Sequence, residues 1–160
     1  MGELTISPEE AACSALVATL QREGSDVEGL ACRTWVLERS LSGEGAIHVR
    51  DAVAAVDDAV NALRHSELAR AIATSALTDT IGLDADASLV RVMNGIDTPW
   101  NCLLETQRRV ITATLAELDL AVAELRHRVE RDDAHRRDLA RLPITLDGLV
   151  PDSLARFLAA

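Results

Sequence analysis

Apolar residues recur along this chain at alternating spacings of three and four, the pattern of helices that each bury one face. The longest such run lies between Asp97 and Arg141, and after Pro99 it contains neither Gly nor Pro. Leu104, Ile111, Leu118 and Leu125 repeat every seven residues, with Leu115, Val122 and Val129 interleaved four residues after Ile111, Leu118 and Leu125. This is a coiled-coil seam, mostly leucine at d with valine or leucine at a. Thr98 is a suitable N-cap and Pro99 suits the first helical position, where its missing N–H costs nothing. Asp97 and Glu105 add negative charge near the positive end of the helix dipole. A helix over 99–141 would be roughly 60 Å long, longer than a compact domain needs, which predicts an elongated bundle.

Two more long helices precede it. Ser7-Pro8-Glu9-Glu10 is a capping box with Pro at the first helical position, so a helix is expected over 8–41. Its apolar line is Cys13, Leu16, Val17, Leu20, Val27, Leu30, Ala31, Thr34, Leu37 and Leu41. Gly24-Ser25 interrupts that line, which predicts a kink or a close helix contact. Ser42-Gly43-Glu44-Gly45 supplies a turn, and a second helix is expected over 46–80 on Val49, Val53, Val56, Val60 and Leu63, the stripe then drifting through Leu68, Ile72 and Leu77. Gly82 is a left-handed C-cap with Leu83 as its following hydrophobic contact. A polar loop from Asp84, a short helix over Ser88 to Met93 and an Asn94-Gly95 turn complete the connection. The expected fold is all-α: an elongated antiparallel bundle of three long helices (8–41, 46–80, 99–141) with a short connecting helix. Residues 1–142 form one helical domain and 143–160 a C-terminal tail. Gly148 and Pro151 stop the third helix from continuing, but Asp152 to Leu158 can form a short amphipathic helix showing Leu154, Phe157 and Leu158.

Length and composition narrow the function. The 160 residues, 48% hydrophobic, suffice for one core. A net charge of −10 argues against nucleic acid or an anionic membrane as partner. The acidity is uneven: residues 1–98 carry 7 Arg against 16 Asp and Glu, whereas residues 99–142 carry 8 of each, so the third helix is the least acidic surface. Cys13, Cys32 and Cys102 are odd in number and widely spaced, which suggests buried, reduced thiols. No N-terminal stretch has a signal-peptide pattern and no run approaches the roughly 20 apolar residues of a membrane span, so a cytoplasmic location is expected.

Catalytic and cofactor motifs are absent. There is no Gly-rich phosphate loop, no C-x-x-C pair and no nucleophile elbow. Glu124-x-x-His127 and Asp132-x-x-His135 match the spacing of carboxylate-bridged di-iron bundles, but both lie on one helix among Arg126, Arg128, Arg131, Arg136 and Arg137, where a di-iron site needs such pairs on two. His48 and His65 have no second group beside them. No enzyme, cofactor or metal site is expected, and the Arg126–Arg137 charges read as an exposed, ion-paired helix face. If the third helix extends past the other two, its late apolar residues lack a partner and offer a site to another helix.

Trp35-Val36-Leu37-Glu38, then Leu63-Arg64-His65-Ser66-Glu67-Leu68-Ala69-Arg70-Ala71, then Ile81-Gly82-Leu83 with Ser88-Leu89, then Pro99-Trp100-x-x-Leu103-Leu104-x-x-x-Arg108 occur in that order. This order and spacing, over about 30–128, resembles the flagellar export chaperone FlgN in the form seen in high-GC Gram-positive bacteria. The resemblance implies an α-helical antiparallel bundle that holds the hook-associated proteins FlgK and FlgL in the cytosol before type III export, binding their terminal helical segment through its C-terminal part and then docking on the export gate. Cargo would then lie against Leu118, Val122, Leu125, Val129, Leu139 and Leu142, with the tail, through Leu149, Leu154, Phe157 and Leu158, occupying that groove or docking elsewhere. The chain departs from the family at His48, where an aromatic is common, and in having no Tyr, which leaves Phe157 alone for an exposed gate-docking aromatic. The alternatives are a structural or regulatory homodimerisation bundle, such as the effector-side coil of a MerR-like regulator, dimerising through the 104–129 seam, and a ferritin-like metal enzyme.

Overall fold

The computed structural model describes residues 6–43, 48–132, 137, 139–140 and 146–159. Most of those residues are helical and the rest form turns and loops, with no strand among them. Helices α1 (Pro8–Leu41), α2 (Val49–Ile81), α3 (Leu89–Asn94), α4 (Trp100–Glu130) and α5 (Asp152–Leu158) follow in order, with a 3-10 turn at Leu146–Gly148 before α5. No helix among them is long and apolar enough to cross a membrane.

Helix α1 is the shared partner. Its N-terminus is a complete capping box: the Glu10 N–H donates to Ser7 Oγ at 3.1 Å and the Ser7 N–H donates to Glu10 Oε2 at 3.0 Å. Every residue of its expected apolar line is buried, and Glu23 joins them with no exposure at all. That wide buried face reflects packing along both α2 and α4, while no comparable packing joins α2 to α4 directly. Residues that advance along α1 meet residues that recede along α2 (Glu23 with Arg70, Asp26 with Ser66) and advance along α4 (Gly24 with Ile111, Glu38 with Arg128).

Gly24 does not break α1. It marks a close helix crossing, since a Cβ there would lie 3.2 Å from Ile111 Cγ1. Gly82 ends α2 in the left-handed conformation (φ 71°, ψ 33°), and Leu83 N–H bonds back to the Thr78 carbonyl at 2.9 Å. Ser88 caps α3 through its hydroxyl.

Three expectations about element limits and faces need correction. Helix α4 starts at Trp100, with Pro99 at the cap position after a cis Thr98–Pro99 bond, and Thr98 makes no capping bond. It ends at Glu130, eleven residues short of Arg141. At that end the seam turns polar, since the position seven after Leu125 is Asp132, and apolar packing resumes at Leu139, which is helical and buried. The late part of α4 therefore does not project as a long unpartnered stripe. In α2 the buried face turns from Leu63 to Ser66, Arg70, Ala73, Thr74 and Leu77, leaving Leu68 62% and Ile72 64% exposed. The start expected at Ala46 lies outside the described residues, and α2 is helical from Val49.

Two glycines of α1 give opposite predictions. A Cβ at Gly29 meets only the end of the flexible Arg33 side chain, so Gly29→Ala should stabilise the chain by about 0.5–1 kcal/mol. At Gly24 the same change should forfeit most of that gain against Ile111, and Gly24→Leu should cost about 1–3 kcal/mol in urea unfolding. A neutral Gly24→Leu would contradict the close crossing.

Candidate partner-binding surface

The residues expected to hold cargo lie in the chain's own core. Leu118, Val122 and Leu125 are buried on α4, Val129 is partly buried against the same core, and Leu139 is buried. Leu142 lies outside the described residues. Removing a leucine from water is worth about 1.5–3 kcal/mol, so these side chains already contribute to the fold of the free chain.

The tail residues are buried as well. Leu149, Leu154, Phe157 and Leu158 all join the main core. Helix α5 packs on α3 and α4. Leu158 shares a cleft of about 390 Å³ with Leu115, Thr112 and Ala116 of α4. Phe157 lies under the Arg70 guanidinium, whose Cζ is 4.7 Å from the ring centroid, a favourable cation–π distance. Phe157 is thus covered and is not an exposed aromatic in this conformation.

Beneath that ring is a polar cluster. Arg70 Nε donates to Glu23 Oε1 at 3.1 Å and lies 2.9 Å from Oε2, both side chains being almost wholly buried. Arg70 Nη2 reaches Ser153 Oγ of α5 at 3.4 Å, and the Ser153 hydroxyl donates to Glu67. One turn away the Ser66 hydroxyl donates to Asp26. Burial pushes the Glu23 carboxyl up from its ordinary value, Arg70 opposes this through its charge and hydrogen bond, and Glu67 and Asp26 push it further up. In the buried pair the attraction must offset the desolvation of both charges. The cluster fixes Arg70 against α1 and turns its guanidinium face to the tail.

Other charges in the expected exposed face tie segments together. Arg126 Nη2 is 2.6 Å from Asp147 Oδ1 beside the 3-10 turn, and Arg128 holds the largely buried Glu38 of α1 at 2.6 Å and 2.9 Å. At the other end of α4, Arg108 and Arg109 hydrogen-bond Glu105 and hold its carboxyl down at about 2. Glu124 and His127 are exposed, and His135 lies outside the described residues. Among the described residues no three His, Cys, Asp or Glu side chains converge as metal ligands. Cys13 is buried as expected, whereas Cys32 and Cys102 are exposed, because each falls beside the apolar seam of its helix.

The apolar pattern passes over Glu23 and Arg70, although both occupy seam positions: Glu23 stands three residues after Leu20 and four before Val27, and Arg70 seven after Leu63 and seven before Leu77. A charged residue on the buried seam of each of two helices is the signal that marks such a pair.

Replacing Glu23 by Leu leaves Arg70 buried without its counter-charge and should cost about 3–5 kcal/mol, whereas Glu23→Leu with Arg70→Met should recover most of that loss in chemical unfolding. Because the Glu23 carboxyl is raised in the folded state, its contribution is present below the ordinary value near 4.5 and falls away as pH rises through the folded value. Glu23→Gln should therefore remove a part of the stability that declines with rising pH above 4.5. An unchanged pH profile would contradict this assignment.

Compared with known proteins, the chain matches no family model, no curated protein and no solved structure.

Proposed function

We propose that this chain is a non-enzymatic, cytosolic export chaperone that binds the terminal helical segment of hook-associated flagellar proteins and keeps it from associating prematurely. The observation that carries this reading is α5. The bundle already holds one short amphipathic helix by three apolar side chains, on a side where α2 and α4 do not pack directly together. The order of motifs that resembles FlgN supplies the cargo class and the export gate as the next partner. We read α1, α2 and α4 as an up-down-up antiparallel bundle in which α1 is the spine.

Capture of a helix in a groove works by taking apolar side chains one turn apart out of water while the polar face stays solvated. Each such anchor is worth about 1.5–3 kcal/mol before the cost of ordering the helix. Cargo bound against Leu118, Val122 and Leu125 would have to displace part of the chain's own packing. The α5 side needs no such rearrangement of the long helices, and we place the cargo helix there.

A homodimerisation bundle is the second reading. Leu68 and Ile72, one turn apart and exposed on α2, favour it. Calorimetry of the purified chain with the C-terminal helical segment of a hook-associated protein, alongside light scattering, separates the two. The chaperone reading predicts saturable one-to-one binding by a monomer or loose dimer. A tight dimer that ignores the peptide would overturn it.

A further inference from the structure

We infer that α5 is a removable plug in the site that takes the partner helix, and that Arg70 selects a partner carrying an aromatic ring where α5 carries Phe157. The inference rests on reading the α5 side as the partner site. Helix α5 is only seven residues long and has no side-chain N-cap, and helices of that length do not persist alone in water. Its helicity is therefore supplied by the surface it sits on. That surface is already built without it: α1 packs on α2 and α4, and Arg70 is held by the buried Glu23 of α1.

The contacts of α5 describe what else would fit. Its anchors Leu154, Phe157 and Leu158 lie at i, i+3 and i+4, so they share one face and leave Asp152 and Arg156 outward. Ser153, one residue before the first anchor, places its hydroxyl between Arg70 and Glu67. Phe157 is the single Phe of the chain, so no other segment reproduces this aromatic contact with a Phe ring. The fitting partner is an amphipathic helix with an aromatic residue, apolar residues three before and one after it, and a hydroxyl residue four before it. Arg70 cannot swing away to admit a different shape, because its other side is committed to Glu23. A positively charged residue at the aromatic position would meet the Arg70 charge and be rejected.

The tether sets the competition. Leu149, buried just before α5, and Asp147, held by Arg126, keep the tail beside its seat, so α5 competes as an intramolecular ligand at a high effective concentration. A free helix binds the intact chain with an affinity lowered by the fraction of molecules whose site is empty.

The test uses the full-length chain and, as probe, a labelled synthetic peptide of its own residues 151–160. In the double variant Leu154→Asp with Phe157→Asp, α5 is undocked, and the probe should bind about tenfold or more tightly than to the wild-type chain. Adding Arg70→Met to that variant should remove the preference for the wild-type probe over one carrying Phe157→Leu. Equal affinity for wild type and double variant, or no binding to either, would overturn the plug. Loss of the helical fold by circular dichroism in the double variant would overturn it equally, since a plug leaves without unfolding its seat. Because the probe is the chain's own tail, a failure of hook-associated cargo to bind would not alter this outcome, and failure here would leave a cargo result standing.

Discussion

Two neighbouring residues of α1 must serve two different helices at once, and the arrangement follows from how they do it. Gly24 lets α4 approach until Ile111 lies against the α1 backbone, and Glu23, one residue earlier and about 100° around the helix, reaches Arg70 of α2. The first contact is steric and the second ionic. With α1 occupied on both sides, α2 and α4 are held without needing each other, and the space between them is left for α3 and the tail. A conventional three-helix core would have closed that space with side chains from all three long helices.

The ionic half of this arrangement links the core to the tail. Burying Glu23 and Arg70 is costly, and a pair of well-packed apolar residues would hold α1 to α2 at least as well. What an apolar pair would not provide is a fixed guanidinium facing outward between α2 and α5, able to stack on a ring and to hydrogen-bond a hydroxyl. The functional reading uses the same feature: the one polar cluster described beneath the tail is also what gives its seat a chemical preference beyond apolarity.

Spacing alone makes most of α1 legible, because its apolar line is unbroken and its start carries a complete capping box. The α3 cap, the Gly82 stop and the helix at 152–158 are legible for the same local reasons. Legibility fails where tertiary pairing overrides residue type. Leu68 and Ile72 draw the stripe of α2 by their hydrophobicity, yet the three-four step from Leu63 leads to Ser66 and Arg70, which are tolerable in the interior only because Asp26 and Glu23 wait on α1. Likewise the run after Glu130 lacks Gly and Pro, yet α4 stops there, where the seam turns polar at Asp132. The candidate site suffers most: helix formation in the tail can be read from sequence, while where it docks depends on α1 separating α2 from α4, which no local pattern encodes.

A removable α5 requires the three long helices to form a stable seat from which it opens independently. Native-state hydrogen exchange, resolved by residue in low concentrations of urea, tests it most directly. Amides of 152–158 should exchange by a local opening well below the free energy of global unfolding, while amides around Leu16, Leu30 and Leu37 of α1 exchange only with global unfolding. If the α5 amides instead exchanged only together with those of α1, the tail would be an integral part of one cooperative core and not a removable occupant.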